Sequence, residues 1–184
     1  MDRILERVFA FAEKGDWAKA EKLLDRLLMG KPWDKKLLLS KAKLRKRMWI
    51  ASNCEDYHLL TDCFHLFSRC HLLTGNPEAG INAATFLLLM GDEQEALRKA
   101  TEVARNCRTR IMGGNRELDG YYAAIVAEAN LIMGNLEAAE IWYDTAYSED
   151  IKIAESFREN MELILEHIGT ESKIAMKIRS SLRA

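Results

Sequence analysis

Three times in this chain a glycine is followed at once by Asp or Asn and, five positions after the glycine, by alanine: Gly15-Asp16 with Ala20, Gly91-Asp92 with Ala96, and Gly134-Asn135 with Ala139. Glycine ends a helix because it enters the left-handed region at no steric cost. Asp or Asn then accepts hydrogen bonds from the free amides that open the next helix. Alanine early in that helix lets two helices cross closely. Asp92 with Glu95 adds the spacing of a capping box. The phrase predicts repeated helix-turn-helix hairpins and leaves little room for strands.

Spacing extends the pattern. Gly91 lies 76 residues after Gly15, room for two hairpins of which one lacks the phrase, and Gly134 lies 43 after Gly91. Apolar residues recurring every 3.6 positions place helices near 2–14, 17–29, 34–51, 56–74, 78–90, 93–111, 117–133, 136–148, 152–168 and 171–183. The extra length before Gly134 fits a long helix followed by the loop Gly113-Gly114-Asn115. Asn76-Pro77 reads as a cap and first helical turn, and Gly80 as a close helix crossing. Ala154, Phe157, Met161, Ile164 and Ile168 share one face near the end of the chain; Ile174, Ile178 and Leu182 share another after Gly169-Thr170. The last pair is expected to cap the array, because an end unit must show solvent a polar face.

Composition agrees. Only two prolines occur in 184 residues, and the 48% apolar and 30% charged content suits a globular helical protein. A net charge of −1 argues against a general nucleic-acid binder. The longest apolar run, Phe86 to Met90, is far below the roughly 20 residues of a membrane span. Asp2, Arg3, Glu6 and Arg7 replace the apolar core of a secretion signal, so a cytoplasmic location with reduced thiols is expected.

The turn phrase resembles that of tetratricopeptide repeats. Ala84 and Ala127 fall where the first helix of such a repeat carries a small residue, Ala146 where the second does, and Tyr143 at its aromatic position; no proline closes a unit, and Glu93 stands where the first copy has Trp17. The run Thr74–Thr85 leading to Leu88-Leu89-Met90-Gly91-Asp92, then Tyr121–Ala124, Ala127–Leu131, Gly134–Ala139 and Trp142-Tyr143, is similar to the TRAF-binding regulatory domain of mitogen-activated-protein-kinase kinase kinases. Bacterial tetratricopeptide proteins carry a similar domain. The resemblance spans roughly residues 58 to 168, and Gly80-Ile81-Asn82-Ala83-Ala84 is its most specific string. It implies a helical-repeat scaffold that regulates by protein contact. Kinase activity is not implied, for the chain shows no Gly-rich phosphate loop or catalytic loop.

Three groups of residues are candidates for chemistry. Cys63, His65, Cys70 and His71, with Cys54 and His58 nearby, suggest a zinc site. On a helix, however, Cys63 and Cys70 lie about 10 Å apart along the axis, too far for one metal or a disulfide. They read better as buried apolar residues, as does Cys107, with Cys54 the exposed thiol. A basic run follows: Lys31, Lys35, Lys36, Lys41, Lys43, Arg45, Lys46 and Arg47, opposed only by Asp34. It is either a solvated helix face balanced by acidic helices or a grip for an acidic protein, nucleic acid or anionic ligand. The third group is a concave face built by the first helix of each hairpin. Register from each glycine places Asn82, Thr85 and Leu89, then Tyr121, Ile125, Glu128 and Ile132 on its exposed side, while Phe9 and Ile81 fill places where a carboxylate-gripping groove would carry cations.

These observations predict an all-α protein, an α-α superhelix of tetratricopeptide-like helical hairpins with C-terminal capping helices. One domain is expected over residues 1–184, with the last pair, about 152–183, capping it. The expected function is a non-enzymatic scaffold or regulator, without cofactor or metal, that binds a protein or peptide on the concave face. Two alternatives stay open: self-association, with the groove filled by the chain's own helices or a second copy's, and anionic-ligand or nucleic-acid binding through 31–47.

Overall fold

The computed structural model describes residues 2–113, 119–149 and 151–169, with 176, 178 and 179 beyond them; in the helix from Ile151 the side chains are described from Phe157 onward. Among these residues nine helices form and no strand: α1 Asp2–Glu13, α2 Trp17–Gly30, α3 Lys35–Ala51, α4 Tyr57–Thr74, α5 Pro77–Leu89, α6 Glu93–Met112, α7 Asp119–Ile132, α8 Leu136–Glu149 and α9 Ile151–His167. Of the expected tenth helix, 171–183, only Met176, Ile178 and Arg179 are described, each in helical conformation; its other residues, Ile174 and Leu182 among them, lie outside the described residues, as does the Gly114-Asn115 part of the expected loop.

The three phrases fold as one turn. At each, the glycine N–H donates to the carbonyl three residues back and the next N–H to the carbonyl five back: Gly15 to Ala12 and Asp16 to Phe11, Gly91 to Leu88 and Asp92 to Leu87, Gly134 to Leu131 and Asn135 to Asn130, all at 2.8–3.0 Å. This is the Schellman closure, and it places the glycine at positive φ, 84° at Gly91. Asp92 caps α6 through the Glu95 N–H at 3.3 Å. Asp16 does not cap α2; its carboxylate turns to Lys19 instead. The hairpin without the phrase is α3–α4. Its turn passes through Asn53 and Cys54, both at positive φ without being glycine, which is why the repeat is not seen there.

The chain divides into two compact units, Met1–Ala79 and Gly80–Ala184, the division falling inside α5. In the first unit Val8, Ala12, Ala20, Leu24, Leu37 and Leu44 form a core, ringed by Leu5, Phe11, Trp17, Leu23, Leu27, Leu28 and Met48. α3 buries residues around much of its circumference, from Leu37 and Leu38 to Lys46 and Trp49, because α1, α2 and α4 all pack on it. Asp34 caps α3 through the Leu37 N–H at 3.1 Å, and Asp56 caps α4 through those of His58 and Leu59.

In the second unit α7 holds the central place. It packs on α6, α8 and α9, and every residue from Tyr122 to Ile132 is buried. Ala123, Ala124, Ala127 and Ala129 keep its neighbours close, and larger residues there would force strain of about 1–3 kcal/mol. α8 inserts Ala139, Tyr143 and Ala146, while α9 inserts Phe157, Met161, Ile164 and Leu165.

Candidate partner-binding surfaces

The face expected to stand open in the second unit is covered. Asn82, Thr85, Ile125, Glu128 and Ile132 are buried; Leu89 and Tyr121 remain half-buried. α9 lies against α7 and α8. Register from the glycines expects these side chains on one surface; of them Asn82, Tyr121 and Glu128 each meet a residue of α9. What register does not supply is the helix over it. The Asn160 amide on α9 donates to Asn82 Oδ1 on α5 and to Glu128 Oε2 on α7, both at 3.2 Å. Phe157 meets Tyr121 edge-on at 5.9 Å between ring centroids. Thr85 turns its hydroxyl to the Ile81 carbonyl at 3.1 Å.

One member of this seam escapes the sequence reading. Asn160 sits among the apolar residues of α9, three positions after Phe157 and four before Ile164, and a lone amide in such a stripe is the available signal. The Tyr143 hydroxyl, on α8, is fully buried, and its pKa is raised by that burial and by the nearby Glu128 and Glu162 carboxylates.

The basic run does not form a free patch. Lys36 pairs with Asp2 at 3.1 Å, and Lys43 with Glu78 at 2.6 Å. Lys41 holds both Glu21 and Asp25 at 2.9 Å; Arg45 holds Glu21 at 3.1 Å and Asp62 at 3.7 Å. Lys46 is buried, and the Arg47 guanidinium lies 4.6 Å over the Phe9 ring. Lys31 and Lys35 remain exposed. The helix gathers cations because α1, α2, α4 and α5 bring carboxylates to it, so the sites expected to grip an outside anion are largely taken. Trp49 is buried, whereas Trp33 is exposed.

The sequence matches the family model of the MAP3K TRAFs-binding domain over residues 5–110, more than half of the chain. The chain belongs to this family. The match includes Gly80-Ile81-Asn82-Ala83-Ala84, as the resemblance did, but it reaches further toward the N-terminus and leaves Tyr121–Tyr143 outside. No curated protein sequence matches the chain. Solved structures similar to it include a MamA RS-1 double mutant, at 13% identity and a TM-score of 0.49 over 98% of this chain and 94% of that one. Another is MamA from residue 41 to the end, from Desulfovibrio magneticus RS-1, at 13% and 0.47 over 100% and 97%. A third is a thermophilic TPR protein of Thermus thermophilus, at 14% and 0.39 over 88% and 98%.

In this member of the MAP3K TRAFs-binding family three of the four cysteines belong to the core. Cys63, Cys70 and Cys107 are fully buried, and Cys54 is exposed. His58 and His65 point to solvent. Burial pushes the Cys63 and Cys107 thiols up to about 12 and raises that of Cys70. Since the thiolate is the reactive form, native chain at pH 8 is expected to give one fast equivalent with a thiol-exchange dye, and four after denaturation. Two or more fast equivalents in the native state would place a buried thiol within reach of solvent.

The first unit of this family member also carries an open depression of about 350 Å³ between α2, α3 and α4, walled by Leu28, Met29, Pro32, Leu38 and Leu66 with Asp25, Lys41 and Arg69 at its rim. Met29 is 78% exposed beside it. Nothing in the repeat register marks this surface, since it arises where α2 and α4 stand apart over α3.

Proposed function

We propose that this chain is a non-enzymatic scaffold or regulatory protein of the cytoplasm that holds a protein partner on the α5–α7 face of its second unit. One observation carries the reading: Asn82, Tyr121 and Glu128 already receive a helix, α9, through a ring contact and hydrogen bonds. A surface that seats one amphipathic helix has the shape and chemistry to seat another. Membership of a family described by what it binds supports protein contact as the mode of action. The partner is assigned here as a protein, with no further name. Free buried thiols suit a reducing compartment, and no helix among the described residues is long and apolar enough to cross a membrane.

The test uses the two half-buried members of the face. Full-length wild type and a Leu89→Ala, Tyr121→Ala variant, both shown to be helical, are used to capture proteins from cells that make the chain. Capture of a specific partner by wild type, reduced at least about tenfold in the variant, is the expected result. Equal capture by both removes the face from the reading. Capture of nothing but further copies of the chain replaces it with self-association.

A further inference from the structure

α9 does more than close the end of its unit. Its buried residues Phe157, Asn160, Met161, Ile164 and Leu165 follow the spacing i, i+3, i+4, i+7 and i+8, one face of a helix. Four are apolar anchors. The fifth, Asn160, stands in their midst and reaches two different helices, α5 through Asn82 and α7 through Glu128. A cap selected only for stability would carry leucine at this place and an apolar residue at 128. A buried polar seam of this kind fixes register at the expense of tightness, because an apolar packing of the same volume is as stable or more so.

We infer that α9 is an internal ligand of the α5–α7 face, exchangeable for a partner's amphipathic helix with large apolar residues at i, i+4, i+7 and i+8 and a side-chain amide at i+3. The inference rests on the reading of that face as the partner's seat and adds the partner's chemistry and the means of regulation. Glu128 and Asn82 are buried, so an incoming helix must bring a donor to them; a helix with leucine there leaves buried polar atoms deprived of the hydrogen bond that Asn160 supplies. While α9 is seated, a partner's apparent affinity falls by the fraction of chains in which the face is clear. Anything that draws α9 away therefore switches binding on without touching the face itself.

The probe is a labelled synthetic peptide of residues 151–169. It is titrated into full-length wild type and into a full-length Phe157→Ala, Met161→Ala chain, in which α9 is weakened and the face is intact. The peptide is expected to bind the weakened chain at least tenfold more tightly than wild type. A peptide carrying Asn160→Leu is expected to bind that chain at least tenfold less tightly than the native peptide. Equal affinities for the two chains, or no loss with the leucine peptide, overturns the inference. If the weakened chain loses its helical signal, amide exchange in wild type decides: α9 amides should exchange at least tenfold faster than those of α7 and α8, and equal protection overturns exchangeability. Failure here, with capture by wild type that the Leu89→Ala, Tyr121→Ala variant reduces, removes the switch and leaves the scaffold. Loss of capture specificity in that experiment removes the seat itself.

Discussion

A Glu128→Arg chain is expected to lose about 3–5 kcal/mol of stability and with it the cooperative unfolding of its second unit. Glu128 is 0% exposed on a helix enclosed by α6, α8 and α9. Arginine there puts a cation where water does not reach and leaves the Asn160 amide facing a donor instead of an acceptor. Removing the acceptor side of a buried charged contact carries a cost of that size, against a total stability for most domains of about 5–15 kcal/mol. Urea unfolding followed by far-ultraviolet circular dichroism measures the loss. The control is Glu128→Gln, which keeps volume and an acceptor oxygen and is expected to stay within about 1 kcal/mol of wild type. Wild-type stability in the arginine variant would mean that α9 does not cover this side of α7, and both the covered face and the exchange built upon it would go.

Alkali is the second large effect. Cys63 and Cys107 have folded-state thiols pushed from 9 to about 12, with burial the leading cause and, at Cys63, the neighbouring Asp62 carboxylate the next. In the unfolded chain the same thiols release protons near 9. Between these values the native state binds more protons than the unfolded state, so stability falls as pH rises. The contribution is whole below pH 9 and gone above about 12. A rise of that size amounts to roughly 4 kcal/mol for each thiol as an order of magnitude. Cys70 and Tyr143 are raised in the same direction and add to the trend. Urea midpoints from about pH 8 to about pH 11 should fall steeply in wild type and less steeply in a Cys63→Ala, Cys107→Ala chain, whatever that variant loses in packing at the lower pH. Parallel curves would show that these thiols do not hold their protons in the fold.

The two effects separate what is local from what is not. Helix ends were legible because their causes lie within a few residues: a glycine at positive φ, a Schellman pair of hydrogen bonds, an Asp or Asn cap. The turn at Asn53-Cys54 shows the limit, because a non-glycine left-handed pair closes a hairpin without leaving the repeated phrase. The basic run shows it again. Lys41, Lys43 and Arg45 look like a free patch along the chain, yet their carboxylates sit on other helices, at Glu21, Asp25, Asp62 and Glu78. Register expected Asn82 and Glu128 on one open face; both are buried and meet Asn160 of α9, a helix that register does not see.

Taken alone, the order of residues determined the described helices, the cap at Asp92, the hairpin repeat and the placing of three cysteines in the core. Each of these follows from backbone conformations and apolar periods that a helix settles by itself. Only the tertiary structure decided that α9 lies over α7, that Asn160 joins Asn82 and Glu128, and that cations of α3 pair with carboxylates of other helices. Those outcomes depend on which distant helices come to lie side by side, and a helix's own period says which residues share a face but never what is laid upon it.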